Sequence, residues 1–249
     1  MTEELQQAHE ALIRGEGFTV LSSLMTEGEA ARVRDSILNH LEQAVDERDG
    51  VARLSNLLAV DTSFDAYVTN PMLLGLAHRM LGPDARLAAL GARVLMPGCE
   101  LGGLHVDYPY WAMDPGMPVE PALMLQVIWM LEPFTEDNGG TWVAPGSQAW
   151  GEYPSEKRFA DSAVQITGNA GDAVVSHGLL WHRTAKNRTD EPRVALLINY
   201  SQLAIQPMTP MGPFTDEYRA GASAELRALL GFDHGRALRN RAMNVAREG

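Results

Sequence analysis

The sequence predicts a mainly β protein with flanking helices and a β-barrel or double-sheet jelly roll at its centre. Three observations carry that expectation. From about residue 86 the chain breaks into apolar runs of four to nine residues punctuated by Gly and Pro, the texture of short strands joined by turns. Before residue 86, apolar residues recur at helical spacing, and they do so again after about residue 215. No internal repeat or low-complexity linker divides the chain, so residues 1–249 read as a single domain.

Taken in order, the first clear element follows Thr26-Glu27-Gly28-Glu29, which has capping-box spacing. Val33, Ile37, Leu38, Leu41, Ala44 and Val45 recur behind it, predicting an amphipathic helix over residues 27–46. NPMLLGLAHRML predicts a second helix near 71–81, stopped by Gly82-Pro83. These belong to a helical part at about 1–85. The strands of the core, about 86–210, come from RLAALGARVLMPG, LMLQVIWML, GTWVAPG, AVQIT, GDAVVSH and RVALLINYS. EYRAGASAELRALLG begins a helical tail over about 211–249.

Composition narrows the function. A net charge of −12 and a pI near 5.0 argue against nucleic acid or an anionic membrane as partner. No apolar run approaches the ~20 residues needed to span a bilayer. The start, MTEELQQAHEALIRGEG, is too polar and acidic for a signal peptide. A lone cysteine, Cys99, cannot form an internal disulfide and suits a reducing cytoplasm.

The chemistry concentrates in LHVDYPYW, residues 104–111. On a β-strand, His105 and Asp107 point the same way and can grip one metal ion. A further histidine would complete the 2-His-1-carboxylate face of non-haem Fe(II) oxygenases. His40-Leu41-Glu42 has the same spacing, but on the predicted helix its side chains diverge. His177 and His182 are the candidates for the third ligand; five apart on one strand, they face opposite sides, so at most one points inward. Arg193 opens the apolar run RVALLINYS. Buried there it needs an anion, for which its guanidinium is a bidentate fork; otherwise it caps the acidic loop TDEP.

His105-x-Asp107, a histidine 77 residues later in LWHRTAKN, and Arg193 eleven beyond that resemble the phytanoyl-CoA dioxygenase family of Fe(II)/2-oxoglutarate-dependent oxygenases. LQVIWMLEPFTEDNGGTWVAPGSQAW and GDAVVSHGLLWHRTAKN are similar to the segments between and around the family's ligands, and the likeness is close over about 86–205. The resemblance implies a double-stranded β-helix core, the jelly roll also used by cupins. It implies that His105, Asp107 and His182 bind Fe(II) as the catalytic ligands and that His177 does not. It further implies that Arg193 takes the distal carboxylate of the cosubstrate 2-oxoglutarate, and that Thr184 and Thr141 lie near it; Thr141 can equally be a turn hydroxyl satisfying its own backbone. The chain departs from the family at Gln148, read as a surface variation, and at Gly102-Gly103 and Leu95, where some relatives hold 2-oxoglutarate. Gln126, inward by parity, either substitutes or the cosubstrate makes fewer contacts.

The activity implied is oxidative: O2 and 2-oxoglutarate are consumed, succinate and CO2 released, and a substrate C–H bond oxidised. An intact Asp107 favours hydroxylation, desaturation, epoxidation or ring closure over the halogenation of relatives that lack this carboxylate. Tyr108, Tyr110, Trp111 and Met113, with Met117, either line an apolar substrate pocket or pack a lid. No basic cluster offers a handle for coenzyme A, which leaves a small molecule, read by analogy as a natural-product intermediate. The alternatives are an amino-acid hydroxylase of the ectoine or proline type and a non-oxidative, cupin-like metal- or ligand-binding barrel.

Overall fold

A computed structural model describes residues 2–43, 46–207 and 211–233. In chain order its elements are α1 (Glu3–Ile13), β1 (Phe18–Leu21), α2 (Glu27–Asn39), β2 (Asp46–Arg48), β3 (Val51–Ser55), α3 (Asp65–Val68), α4 (Pro71–Leu81), β4 (Arg86–Leu95), β5 (Met124–Met130), β6 (Trp142–Val143), α5 (Glu156–Ser162), β7 (Val164–Gln165), β8 (Ala173–His177), β9 (His182–Arg183), β10 (Arg193–Ser201), α6 (Asp216–Gly221) and α7 (Ala224–Leu229). Seven strands form one antiparallel sheet in the order β1-β8-β5-β10-β4-β3-β2, and three form a second in the order β7-β6-β9.

Alternation along the strands divides the large sheet between two tasks. Val194, Leu196, Ile198 and Tyr200 of β10, with Leu125, Val127 and Trp129 of β5, share a core with Leu12, Ile37, Leu73 and Leu76 of the helices. The intervening residues face the other way: Ile128, Met130, Val174 and Ala195 pack against Val143, Ile166 and Phe134 beneath the small sheet. The result is the double-sheet core expected, with helices on its outer face.

The helix starts were legible in their caps. Thr26 Oγ1 accepts from Glu29 N at 3.2 Å while Glu29 Oε2 accepts from Thr26 N at 2.8 Å, a complete capping box. Asn70 Oδ1 accepts from Met72 N and Leu73 N, Pro71 opens α4, and Gly82 at φ 93° ends it. The expected helix over 27–46 is shorter, however, and stops at Asn39. His40 N reaches back to Ile37 O rather than a full turn, and residues 41–43 tighten into a 3-10 turn. Ala44 and Val45 lie outside the described residues.

The larger correction concerns residues 1–85, expected as helical, which also supply β1, β2 and β3 to the large sheet. The β2–β3 hairpin turns on Asp49-Gly50, both at positive φ (57° and 72°), the backbone that a two-residue hairpin loop demands. In the tail, expected to be helical from 211 to 249, the helices are the short α6 and α7, and residues 234–249 lie outside the described ones.

Candidate metal centre and its cavity

His105 and His182 are brought together by a single antiparallel bridge: His105 N donates to His182 O at 3.1 Å and His182 N to His105 O at 3.0 Å. The segment around His105 is therefore a loop with one bridged residue and not the strand expected. Asp107 N is held by Gly178 O at 2.9 Å. One ligand atom from each of His105, Asp107 and His182 lies within 4.8 Å of the others.

The hydrogen bonds behind these side chains settle what each presents. Nδ1 of His105 lies 2.8 Å from Gly103 O, and Nδ1 of His182 lies 2.9 Å from Leu180 O. A ring nitrogen facing a carbonyl must carry the proton, so each Nε2 is left with its lone pair. The neighbouring His182 and then burial bring the His105 pKa down to about 4. Burial likewise lowers that of His182, so both rings are neutral at pH 7. Asp107 is the opposite case, its carboxyl pushed up to about 6 by burial. Its Oδ1 accepts from Gln126 Nε2 at 3.0 Å, while its Oδ2 is buried with no partner. Two neutral nitrogens, one costly carboxylate and an orphaned oxygen fit a divalent cation such as Fe(II).

These residues open onto a cavity of about 340 Å³, near the lower end for small-molecule sites. Arg193 lines it and is 3% exposed. Its Nη2 donates to Gly139 O at 2.6 Å, its guanidinium lies 4.3 Å from the centre of the Phe134 ring, and its Nε is buried without a partner. Burial brings its pKa down to about 10. Arg193 does not cap the TDEP loop; Asn187 does, through Nδ2 to Glu191 O at 2.8 Å and Oδ1 from Thr189 N at 3.0 Å. Thr141, Thr184 and Gln126 line the same cavity. The bond from Gln126 to Asp107 gives that side chain a partner other than the cosubstrate expected for it.

Of the four residues expected to line a substrate pocket, Tyr108 and Trp111 border this cavity. Tyr110 does not: it is buried, its hydroxyl accepts from Leu123 N at 2.7 Å, and its ring lies against His177. Met113 is also off the cavity, its carbonyl accepting from Tyr153 Oη at 3.2 Å, and Met117 packs against the apolar cluster to which Tyr110 belongs. His177 ends β8 while His182 begins β9, so the assumption of one continuous strand fails. His177 is nonetheless outside the trio, with Nε2 on Val119 O and Nδ1 accepting from Leu179 N. Gln148 is not a surface variation: it is buried, and its Nε2 donates to Gly15 O at 3.0 Å.

The cavity also contains residues passed over in the sequence. Arg93 and Asn199 line it, as do Met124, Ile128, Leu197 and Met211. The signal for the first two was strand parity. Leu90, Ala92 and Val94 face the helices, which turns Gly91 and Arg93 inward, and Asn199 shares the parity of Arg193.

The profile of the family described as phytanoyl-CoA dioxygenase (PhyH) matches residues 13–195. Dioxygenase af480 of Aspergillus fumigatus is 30% identical over 226 residues, 90% of this chain and 72% of the relative. L-proline trans-4-hydroxylase of Streptomyces griseoviridis is 27% identical over 57% of this chain and 64% of the relative. The crystal structure of the non-haem α-ketoglutarate-dependent epimerase SnoN from nogalamycin biosynthesis superposes with a TM-score of 0.66 at 18% identity, over 86% of this chain and 96% of SnoN. At that identity the likeness speaks for the fold alone. The family profile and the identity to af480 go further: the chain belongs to the phytanoyl-CoA dioxygenase family of non-haem Fe(II)/2-oxoglutarate-dependent dioxygenases.

Proposed function

We propose that this enzyme oxidises a C–H bond of a small, largely apolar natural-product intermediate, by hydroxylation or by the related desaturation, epoxidation or ring closure. Succinate and CO2 would be released. The observation that carries the reading is the convergence of His105, Asp107 and His182, with Asp107 Oδ2 orphaned, in a cavity that Arg193 also lines. Iron, 2-oxoglutarate and O2 supply the oxidising power. In this reading the chain's own groups bind, orient and shield. His105 and His182 offer Nε2, their rings fixed by backbone carbonyls, and Asp107 adds the negative charge with Gln126 setting its plane. Arg193 receives the distal carboxylate, for which its partnerless Nε and half-satisfied fork are already buried in place. Thr141 and Thr184 put hydroxyls along the cosubstrate, and Tyr108 and Trp111 meet the substrate.

The likeness to a proline hydroxylase raises a free amino acid as substrate. Among the described residues that line the cavity, Asp107 is the only carboxylate, and in this reading it is committed to the metal, so no second carboxylate stands ready for an ammonium group. A natural-product substrate has the support of the apolar lining, and of a like-folded enzyme from nogalamycin biosynthesis. The test is anaerobic addition of Fe(II) and 2-oxoglutarate to the purified protein, followed by O2 with a substrate panel. The expected result is a charge-transfer absorption and then succinate. Its absence on both counts, with stable metal binding, would return the chain to a non-oxidative barrel.

A further inference from the structure

We propose that Asn199 anchors the substrate through a neutral amide, a lactam or other cis-amide carried on an apolar ring system. This deepens the oxygenase reading and rests on it.

The backbone sets Asn199 apart from its neighbours. The pairing of β10 with β4 slips by one residue here: Asn199 pairs with Ala89 and Tyr200 with Leu87, which leaves Ala88 as an extra residue in a β-bulge. Ala88 packs with Val106 and Met124 on the cavity side, and Ala89 and Asn199 line the cavity with it. Opposite two methyl groups, the half-buried Asn199 carboxamide makes no hydrogen bond among the described residues. Water can serve it while the cavity is empty. A substrate that fills the cavity displaces that water, and binds well only if it replaces the hydrogen bonds.

The surrounding wall says what kind of group replaces them. Gln126, Asn199 and Ala89 form one rung of the sheet, and Ile128, Leu197, Gly91 and Ser55 form the next; none is charged. The wall stays bare at Gly91, where a Cβ would meet Leu54 O at 2.5 Å. Arg193 lies six residues back along β10, about 20 Å of strand. An ionic group held by Asn199 would therefore find no countercharge on these two rungs, whereas an amide needs none. A carboxamide presents a donor and an acceptor side by side. A second amide in the cis form meets both at once; a ketone meets only the donor.

Position ties this anchor to the substrate rather than to the cosubstrate. Gln126 stands directly across from Asn199 on β5 and donates to Asp107 Oδ1 at 3.0 Å, so the anchor lies beside the metal trio, at the end of β10 remote from Arg193. Tyr108 and Trp111, with ring centres 5.9 Å apart, supply flat apolar surface along the same cavity.

The test uses the protein loaded anaerobically with Fe(II) and 2-oxoglutarate. The probes are the lactam 3,4-dihydro-2(1H)-quinolinone, its N-methyl derivative and 2-tetralone, which share a bicyclic frame. Dissociation constants are measured by calorimetry. The lactam should bind at least about tenfold more tightly than either probe without an N–H. Asn199→Leu should erase that preference while the charge-transfer absorption survives, which also shows that the variant is folded. Asn199→Asp, which keeps an acceptor and loses the donor, should still favour the lactam over its N-methyl derivative. Equal affinities among the three probes, or no heat of binding from any of them, overturn the proposal. So does a lactam preference that persists in Asn199→Leu. Loss of the absorption in Asn199→Leu to the extent seen in Arg193→Met also overturns it, because Asn199 would then serve the cosubstrate. If the unaltered protein forms no absorption at all, the oxygenase reading fails separately, since calorimetry still reads the lactam preference without it.

Discussion

Replacing Arg193 by Met should leave the stability of the ligand-free protein nearly unchanged while removing its response to 2-oxoglutarate. Arg193 is 3% exposed, and loss of a buried side chain commonly costs about 2–5 kcal/mol. Here opposing effects offset one another. Burial holds the guanidinium pKa at about 10 against an ordinary 12.5, so the charge itself destabilises the ligand-free fold by roughly 3 kcal/mol. Met removes that penalty and keeps most of the volume. It forfeits the bond to Gly139 O, about 1.5–3 kcal/mol, and the contact with Phe134, about 0.5–2 kcal/mol. The balance is a change within about 1–2 kcal/mol. The cosubstrate side has no such offset. Stripping one partner from a buried charge pair costs about 2–5 kcal/mol, which places the affinity loss at about 30-fold or more. Urea unfolding of the metal-loaded, anaerobic protein reads both quantities. At 2-oxoglutarate equal to 100 times the wild-type Kd, the wild type should gain about 2.7 kcal/mol and the variant about 0.9 kcal/mol or less. A variant that loses more than about 3 kcal/mol without ligand, yet gains from 2-oxoglutarate as the wild type does, would make Arg193 a packing residue and refute the assignment.

Four further outcomes follow from the site and its surroundings. Asp107→Ala should lower Fe(II) affinity at least about 100-fold without destabilising the metal-free protein at pH 7, because burial already disfavours the carboxylate; unchanged affinity in an iron titration would remove Asp107 from the ligand set. In the wild type a proton competes with iron for Asp107, so affinity should fall below about pH 6 and approach a tenfold loss per pH unit. His177, held at about 4 by burial, takes up a proton in the unfolded chain first, so its contribution to stability is lost as pH drops from 6.5 toward 4. His177→Gln should flatten the stability–pH profile there by up to about 1.4 kcal/mol per pH unit, measured by urea unfolding, and an unaltered slope would contradict its buried, neutral state. Tyr110→Phe should cost about 1 kcal/mol of stability with the charge-transfer absorption intact; an absorption shift instead would return Tyr110 to the cavity.

What could be read from the chain followed the range of each signal. Caps are local, so Thr26 and Asn70 announced their helices correctly. Strand parity is also local: it turned Gln126 inward and, applied to β4 and β10, would have found Arg93 and Asn199. Asp49-Gly50 is a hairpin dipeptide in the sequence as well, but it lies within the part expected to be helical and went unread. Partnership across space was not legible. Nothing near Tyr110 in the chain indicates that its hydroxyl reaches Leu123 N, and nothing near Gln148 indicates that it is sealed beneath Gly15. The metal trio was approachable because its spacing encodes chemistry, but the carbonyls that fix its tautomers appear only once the chain is folded.

The alternation of β10 has a consequence for how this enzyme can diversify. Its residues serve the helical core and the cavity by turns, so inserting or deleting one residue would swap Arg193 for Val194 and exchange the two faces at once. Trp111 and Met211 line the cavity from outside the strands, so changes there leave that alternation intact. A directed-evolution library aimed at new acceptors belongs at those two positions, with β10 left untouched.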